Sequence, residues 1–180
     1  MKKSWMLLGM VVGTLNLSAQ NTGNSLIGPA EAFADRKGTI LEKRFDEIGK
    51  VNQLNIQLEF ISDLSNSEKM VCLRFDIQLP NNSTGPSALL DSAEVNGLIK
   101  FLKYITDNVT KTAPANPNTE ISTTDKYNLQ IGCYWEKSNG WIVYIRTDAD
   151  NPSTETDIPQ ASIPSLLKTL TLGVSEMKNS

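Results

Sequence analysis

The sequence predicts an α+β fold of two pseudo-repeats, each an antiparallel β meander followed by an α-helix, with the helices packed on one sheet face. Three observations carry this. The second half repeats the first: Asn55-Ile56-Gln57-Leu58 recurs as Asn128-Leu129-Gln130-Ile131, and Val71-Cys72-Leu73-Arg74 as Val143-Tyr144-Ile145-Arg146. Val95, Leu98, Ile99, Lys100 and Leu102 recur as Ile163, Leu166, Leu167, Lys168 and Leu170, and the offsets of 73, 72 and 68 residues keep the order a duplicated module requires. Next, apolar residues alternate with polar ones in several runs, the period of a strand with one buried face. Finally, each set of strands is followed by an apolar stripe at helical spacing.

Taken in order, residues 1–19 have the layout of a secretory signal: Lys2 and Lys3, then a mostly apolar run from Trp5 to Leu17, then Ser18-Ala19-Gln20 with cleavage after Ala19. As a membrane anchor the run is short and interrupted by Gly9, Gly13 and Asn16. With no Cys just after the cleavage site and no second long apolar run, the expected product is periplasmic or secreted and leaves the membrane once cleaved. Residues 20–37 read as a flexible N-terminal segment, and 38–180 as one α+β domain of two repeats, about 38–109 and 119–178.

Within the domain, Thr39 to Arg44 is expected in a strand, although Ile40, Leu41, Phe45 and Ile48 would also fit a short amphipathic helix. Leu54 to Ser62 turns Ile56, Leu58 and Phe60 one way, and Met70 to Leu79 does the same with Val71, Leu73, Phe75, Ile77 and Leu79. Pro80 to Ala88 is a polar loop. A helix then starts at Asp91 or Ser92, with Asp91 and Glu94 spaced as a capping box and Val95, Leu98, Ile99, Leu102 and Ile105 as its stripe. Thr110 to Thr124 reads as the connection between repeats. Tyr127 to Lys137 and Trp141 to Asp148 form a hairpin. A three-residue loop, Ser138-Asn139-Gly140, puts Leu129, Ile131, Cys133 and Trp135 on one face with Trp141, Val143 and Ile145. Asn151 to Thr156 is polar, and Ser162 is placed to cap a last helix with Pro164 in its first turn.

The order of elements resembles folds with duplicated sheet-plus-helix units, such as Whirly-type single-strand DNA binders and β-lactamase-inhibitor proteins. That resemblance implies architecture and carries no functional residue. Through Thr39-Ile40-Leu41-Glu42-Lys43, Leu90-Asp91-Ser92-Ala93-Glu94 and the Leu98-to-Ile105 helix, the chain also resembles small exported Bacteroidetes-type proteins of unassigned function.

Composition narrows the chemistry. The chain has no histidine, which removes the commonest general base, Ser-His and Cys-His pairs, and the usual catalytic zinc sets. No cofactor is expected. Cleavage of the signal removes two of 17 basic residues and leaves 15 against 20 acidic ones, a net charge of −5, which disfavours nucleic acid. Cys72 and Cys133 fall on opposite strand faces, which makes a disulfide awkward. Asp148, Asp150 and Asn151 suit a strand-end turn better than a calcium loop, because the Gly and distal Glu of an EF-hand are missing.

The function expected is non-enzymatic binding through the outer sheet face. Its candidate residues are Arg74 and Arg146, at matching repeat positions, with Tyr134, Tyr144, Gln57 and Gln130. The competing view is a set of outward side chains that pair with Glu59, Asp76 or solvent. Partners that suit such a face are a protein, a glycan, a small anionic ligand or a second copy of the chain. Two alternatives stand beside it: a glycan-directed hydrolase with an Asp/Glu pair, which needs two carboxylates facing one cleft, and a single-stranded nucleic-acid binder.

Overall fold

The structure, a computed structural model, describes residues 27–79, 84–85 and 87–180. The expected leader (1–19), residues 20–26 and most of the Pro80-to-Ala88 loop lie outside the described residues. The α+β class is as the sequence predicts. Strands β1 (Leu41–Val51), β2 (Leu54–Asp63), β3 (Lys69–Ile77) and β4 (Ala88–Leu90) form one antiparallel meander, followed by helix α2 (Ser92–Asn108). Strands β5 (Glu120–Thr124), β6 (Gln130–Glu136), β7 (Gly140–Arg146) and β8 (Glu155–Ile158) form a second, followed by α3 (Ile163–Asn179). A short helix, α1 (Pro29–Ala34), precedes both.

The duplication holds at the level of register. Gln57 lies opposite Arg74 and Leu58 opposite Leu73; Gln130 lies opposite Arg146 and Ile131 opposite Ile145. Val143 is fully buried, and Val71 is partly buried against the same core.

One hydrophobic core takes its residues from both sheets and both long helices. From the first sheet come Leu54, Ile56, Leu58, Leu73, Phe75 and Ile77; from the second, Ile131, Cys133, Trp141, Val143 and Ile145. Helix α2 buries the expected stripe, Val95, Leu98, Ile99, Leu102 and Ile105. Leu102 and Ile105 are fully enclosed, each worth about 2 kcal/mol of apolar transfer. Its start is the capping box read from the sequence: Asp91 Oδ1 accepts from the Ala93 and Glu94 amides, and Glu94 Oε2 accepts from the Asp91 amide at 2.5 Å.

Helix α3 follows the second sheet but packs on β1, β2 and β3 of the first, and on α2. The approach is close enough that a Cβ on Gly173 would fall 2.6 Å from Leu73 Cδ1.

Several expectations are corrected. Residues 29–34, read as flexible, form α1, because Ala30, Phe33 and Ala34 find an apolar patch of Ile61 and Cys72 on the outer face of the first sheet. Arg36 fastens the end of α1: its guanidinium lies 4.1 Å from the Phe33 ring centre and pairs with Glu68 and, at 3.6 Å, with Asp63. The expected strand forms from Leu41 and runs on to Val51 as β1, in place of the short helix also considered. A bulge between Glu47 and Gly49 shifts its phase, so Glu42, Arg44 and Asp46 precede it on the face that Gly49 and Val51 then take over. That shift hides the alternation in the sequence. Short strand β5 lies in the stretch read as the connection, and β4 and β8 start at the ends of the polar stretches 80–88 and 151–156 and run on into residues given no element.

The hairpin loop is Lys137 to Asn139, one residue earlier than expected, with Glu136 opposite Gly140 at φ +76°. The face assignment is unchanged, with Trp135 opposite Trp141. Ser162 does not cap α3: it ends a 3-10 turn (Gln160–Ser162) in helical conformation and its side chain makes no cap bond. Both cysteines are free and buried, Cys72 beneath α1 and Cys133 in the main core.

Candidate functional site

Arg74 and Arg146, expected together on one outer face, stand instead on the outer faces of two separate sheets. Arg74 donates from Nε to both Asp76 oxygens (3.0 and 2.9 Å), from Nη1 to Glu59 (3.3 Å) and from Nη2 to Ser87 (2.6 Å). Glu59 is fully buried and also meets Lys43 Nζ at 3.3 Å. Arg146 donates to Gln130 Oε1 (2.9 Å), to the Ala149 carbonyl (3.3 Å) and to Glu155. The two partner sets share no residue. Each guanidinium is already balanced by carboxylates of its own sheet, so an incoming anion would have to displace them.

The tyrosines are similarly engaged. Tyr144 is 2% exposed and lies over Gly132, where a Cβ would fall 2.5 Å from the ring; its hydroxyl donates to Glu120 Oε1 at 2.5 Å. Burial and Glu120 push that phenol up to about 12. In the first sheet the equivalent positions hold Cys72 and Glu59, a small residue where Tyr144 stands and a large one where Gly132 stands. Tyr134 reaches Asp157 at 3.4 Å. Gln57 sits opposite Arg74 at the half-buried centre of the first sheet.

A pocket that the sequence reading did not assemble lies between the units. Ala93, Glu94, Gly97 and Leu98 of α2 form one wall; Thr123, Asp125, Lys126, Tyr127, Leu129 and Ile131 form the other, around a cavity of about 300 Å³. The second wall is an elaboration of the repeat. The first hairpin of unit one turns in two residues, Asn52-Gln53, whereas its counterpart in unit two needs five, Asp125 to Leu129. Asp125 Oδ1 organises this longer turn by accepting from the Tyr127 (2.8 Å) and Leu129 (2.9 Å) amides, and Asn128 adopts φ +74°. Asn128 Nδ2 then donates to Asp148 (2.8 Å) and Asp150 (3.0 Å), which explains those acids as turn partners.

The walls are mainly apolar, and the polar groups are few. Glu94 is pushed up to about 7, first by burial and then by the charges of Asp91, Asp125 and Glu31, against the pull of the Asp91 amide. Glu31 of α1 is raised for the same leading reason. Lys126 Nζ stands 4.5 Å from the Tyr127 ring centre, and Gly28 packs between Tyr127 and Glu94. A site of this kind encloses a small apolar body and offers a carboxyl to a donor group. Among the described residues no group of three His, Cys, Asp or Glu side chains could hold a metal ion, and no helix is long and apolar enough to cross a membrane.

The geometry defines a two-unit α+β protein with an apolar pocket at the seam between α2 and the β5–β6 turn. No protein-family model and no curated protein matches the chain.

Proposed function

We propose that the chain is an exported binding protein that holds a small amphipathic molecule, one with an apolar body and an amine or hydroxyl donor, in the pocket between α2 and the β5–β6 turn. The observation that carries this reading is the apolar cavity of about 300 Å³ with the partly desolvated Glu94 in its wall. The leader-like residues 1–19 support export. The outer sheet faces serve this role less well, since Arg74 and Arg146 are already paired and Tyr144 is covered.

Gly97 gives a clean test. A Cβ there would meet nothing within 4 Å at a position that lines the pocket, and α2 gains helix propensity from losing a glycine. The neutral dye Nile red should brighten on titration with the protein, and octylamine should displace it. Gly97→Leu should weaken dye binding by about tenfold or more without lowering the melting temperature, because the cavity is filled rather than the fold disturbed. Unchanged dye affinity in that variant would remove the pocket as the site.

A second reading, hydrolysis of glycan by an Asp/Glu pair, draws on the presence of Glu94 and Asp125 in one pocket. Against it, each already has an oxygen engaged with main-chain amides, which fixes it as a capping group. Turnover of nitrophenyl glycosides that Glu94→Gln abolishes would favour it instead. Binding of single-stranded nucleic acid is opposed by Glu120 and Asp157 on the outer face of the second sheet, which repel phosphate.

A further inference from the structure

We infer that the open edge of β1 pairs with the same edge of a second copy, antiparallel and centred on Phe45, to join two first sheets into one. Strand β1 is the terminal strand of its sheet, and among the described residues nothing pairs with its outer side. The Leu64 amide donates to the Ile40 carbonyl (2.8 Å), one step beyond the Leu41–Asp63 pair. Alternation along an antiparallel ladder then directs the even residues 40 to 46 toward β2, and the backbone N–H and C=O of Leu41, Lys43, Phe45 and Glu47 toward the open side. Residues 43 to 47 lie before the bulge, so this stretch is a regular, unsatisfied edge.

The side chains select both partner and register. A twofold axis at Phe45 places Lys43 opposite Glu47 of the second copy and Arg44 opposite its Asp46, and the symmetry doubles each pair. Lys43 and Glu47 share the outer face with Phe45; Arg44 and Asp46 share the other. Moving the axis to residue 44 sets Arg44 against its own copy and Glu42 against Asp46. Moving it to residue 46 sets Asp46 against its own copy. Centring on Phe45 avoids every like-charge pair among residues 43 to 47. A strand guarded only against aggregation needs charge; it has no need of a charge order complementary to its own reverse.

Exposure agrees. Phe45 is 46% exposed, and the pairing would bring its ring beside the second Phe45 at cross-strand spacing. Within one chain Arg44 lies 4.0 Å over the Phe60 ring, and its carboxylate contact is with its own Asp46, at 3.4 Å, with both side chains more than half exposed, an ion pair of little worth. The second copy gives each a directly opposed partner.

Sedimentation of the purified protein from micromolar to hundreds of micromolar tests this. The unmodified protein should sediment as a monomer–dimer equilibrium. Asp46→Arg alone sets Arg44 against an arginine, Arg44→Asp alone sets Asp46 against an aspartate, and each should raise the dissociation constant by about tenfold or more. Mixing the two single variants should restore dimers, since every pair across that heterodimer is complementary. The double variant R44D/D46R should self-associate like the unmodified protein. Because Arg44 and Asp46 are exposed, the variants should keep the unmodified circular dichroism. A protein monomeric at every concentration, a dimer indifferent to Asp46→Arg, or a mixture that stays monomeric would each overturn the proposal. So would a monomer whose residue 43, 45 and 47 amides resist hydrogen exchange, since another segment of the same chain would then cover the edge.

Discussion

Glu94 shows how one residue joins fold and candidate site. One of its oxygens caps α2, and the same side chain forms part of the pocket wall. Its carboxyl is raised from an ordinary 4.5 to about 7, so the folded chain binds this proton more tightly than the unfolded chain does. Protonation therefore favours folding. The contribution is whole below pH 4.5 and is lost as pH climbs through 7. The melting temperature should fall between pH 5 and pH 8. In Glu94→Gln, whose amide can keep the N3 capping role, the fall should shrink, by the equivalent of about 1 kcal/mol of stability at most once solvent screening of this half-exposed group is counted. Glu31 is raised in the same direction and should leave a residual slope. A Glu94→Gln variant with the full slope would place the proton elsewhere.

At the scale of elements, a strand or helix was legible where one of its faces is buried over many residues. Leu54 to Asp63, the β6–β7 hairpin and the α2 stripe announce themselves through periodicity, and the Asp91–Glu94 box through spacing. Strands β4, β5 and β8 run three to five residues, too few to show a period. Helix α1 has six residues and starts at a Gly-Pro pair that reads as a turn. The candidate site divides the same way. The matched positions of Arg74 and Arg146 follow from the repeat. Their neutralisation depends on Glu59, Asp76 and Glu155, and only register brings those within reach. The pocket combines residues 93–98 of one unit with 123–131 of the other, a juxtaposition that periodicity does not encode.

Helix α1 carries its own test. Phe33, Ala30 and Ala34 cover Cys72, whose thiol burial pushes up to about 12. Cys133, pushed up to about 11, lies in the main core far from that cover. Phe33→Ala removes most of the apolar grip of α1, about 3 kcal/mol for a buried phenylalanine. A thiol reagent in excess should then modify Cys72 at least several times faster while Cys133 keeps its unmodified rate. Equal acceleration at both cysteines would mean that α1 supports the whole fold rather than one patch.

Over the whole molecule, duplication has not produced two independent halves. Helix α3 belongs by sequence to unit two, yet it seals the first sheet, with Gly173 pressed onto Leu73 and Gly49 of β1 against Thr169. Helix α2 belongs to unit one and reaches β6. The first sheet borrows α3 and the second borrows α2, so the cover of each apolar face depends on the other unit. Such exchange predicts one cooperative transition. The fluorescence of Trp135 and Trp141, stacked edge-on at 5.7 Å, reports the second sheet, and pulsed hydrogen exchange of β2 and β3 amides reports the first. In urea the two signals should share a midpoint and a slope, as two-state unfolding requires. If fluorescence changed at lower urea while the β2 and β3 amides stayed protected, the first sheet would stand without its borrowed helix, and the units would be separable after all.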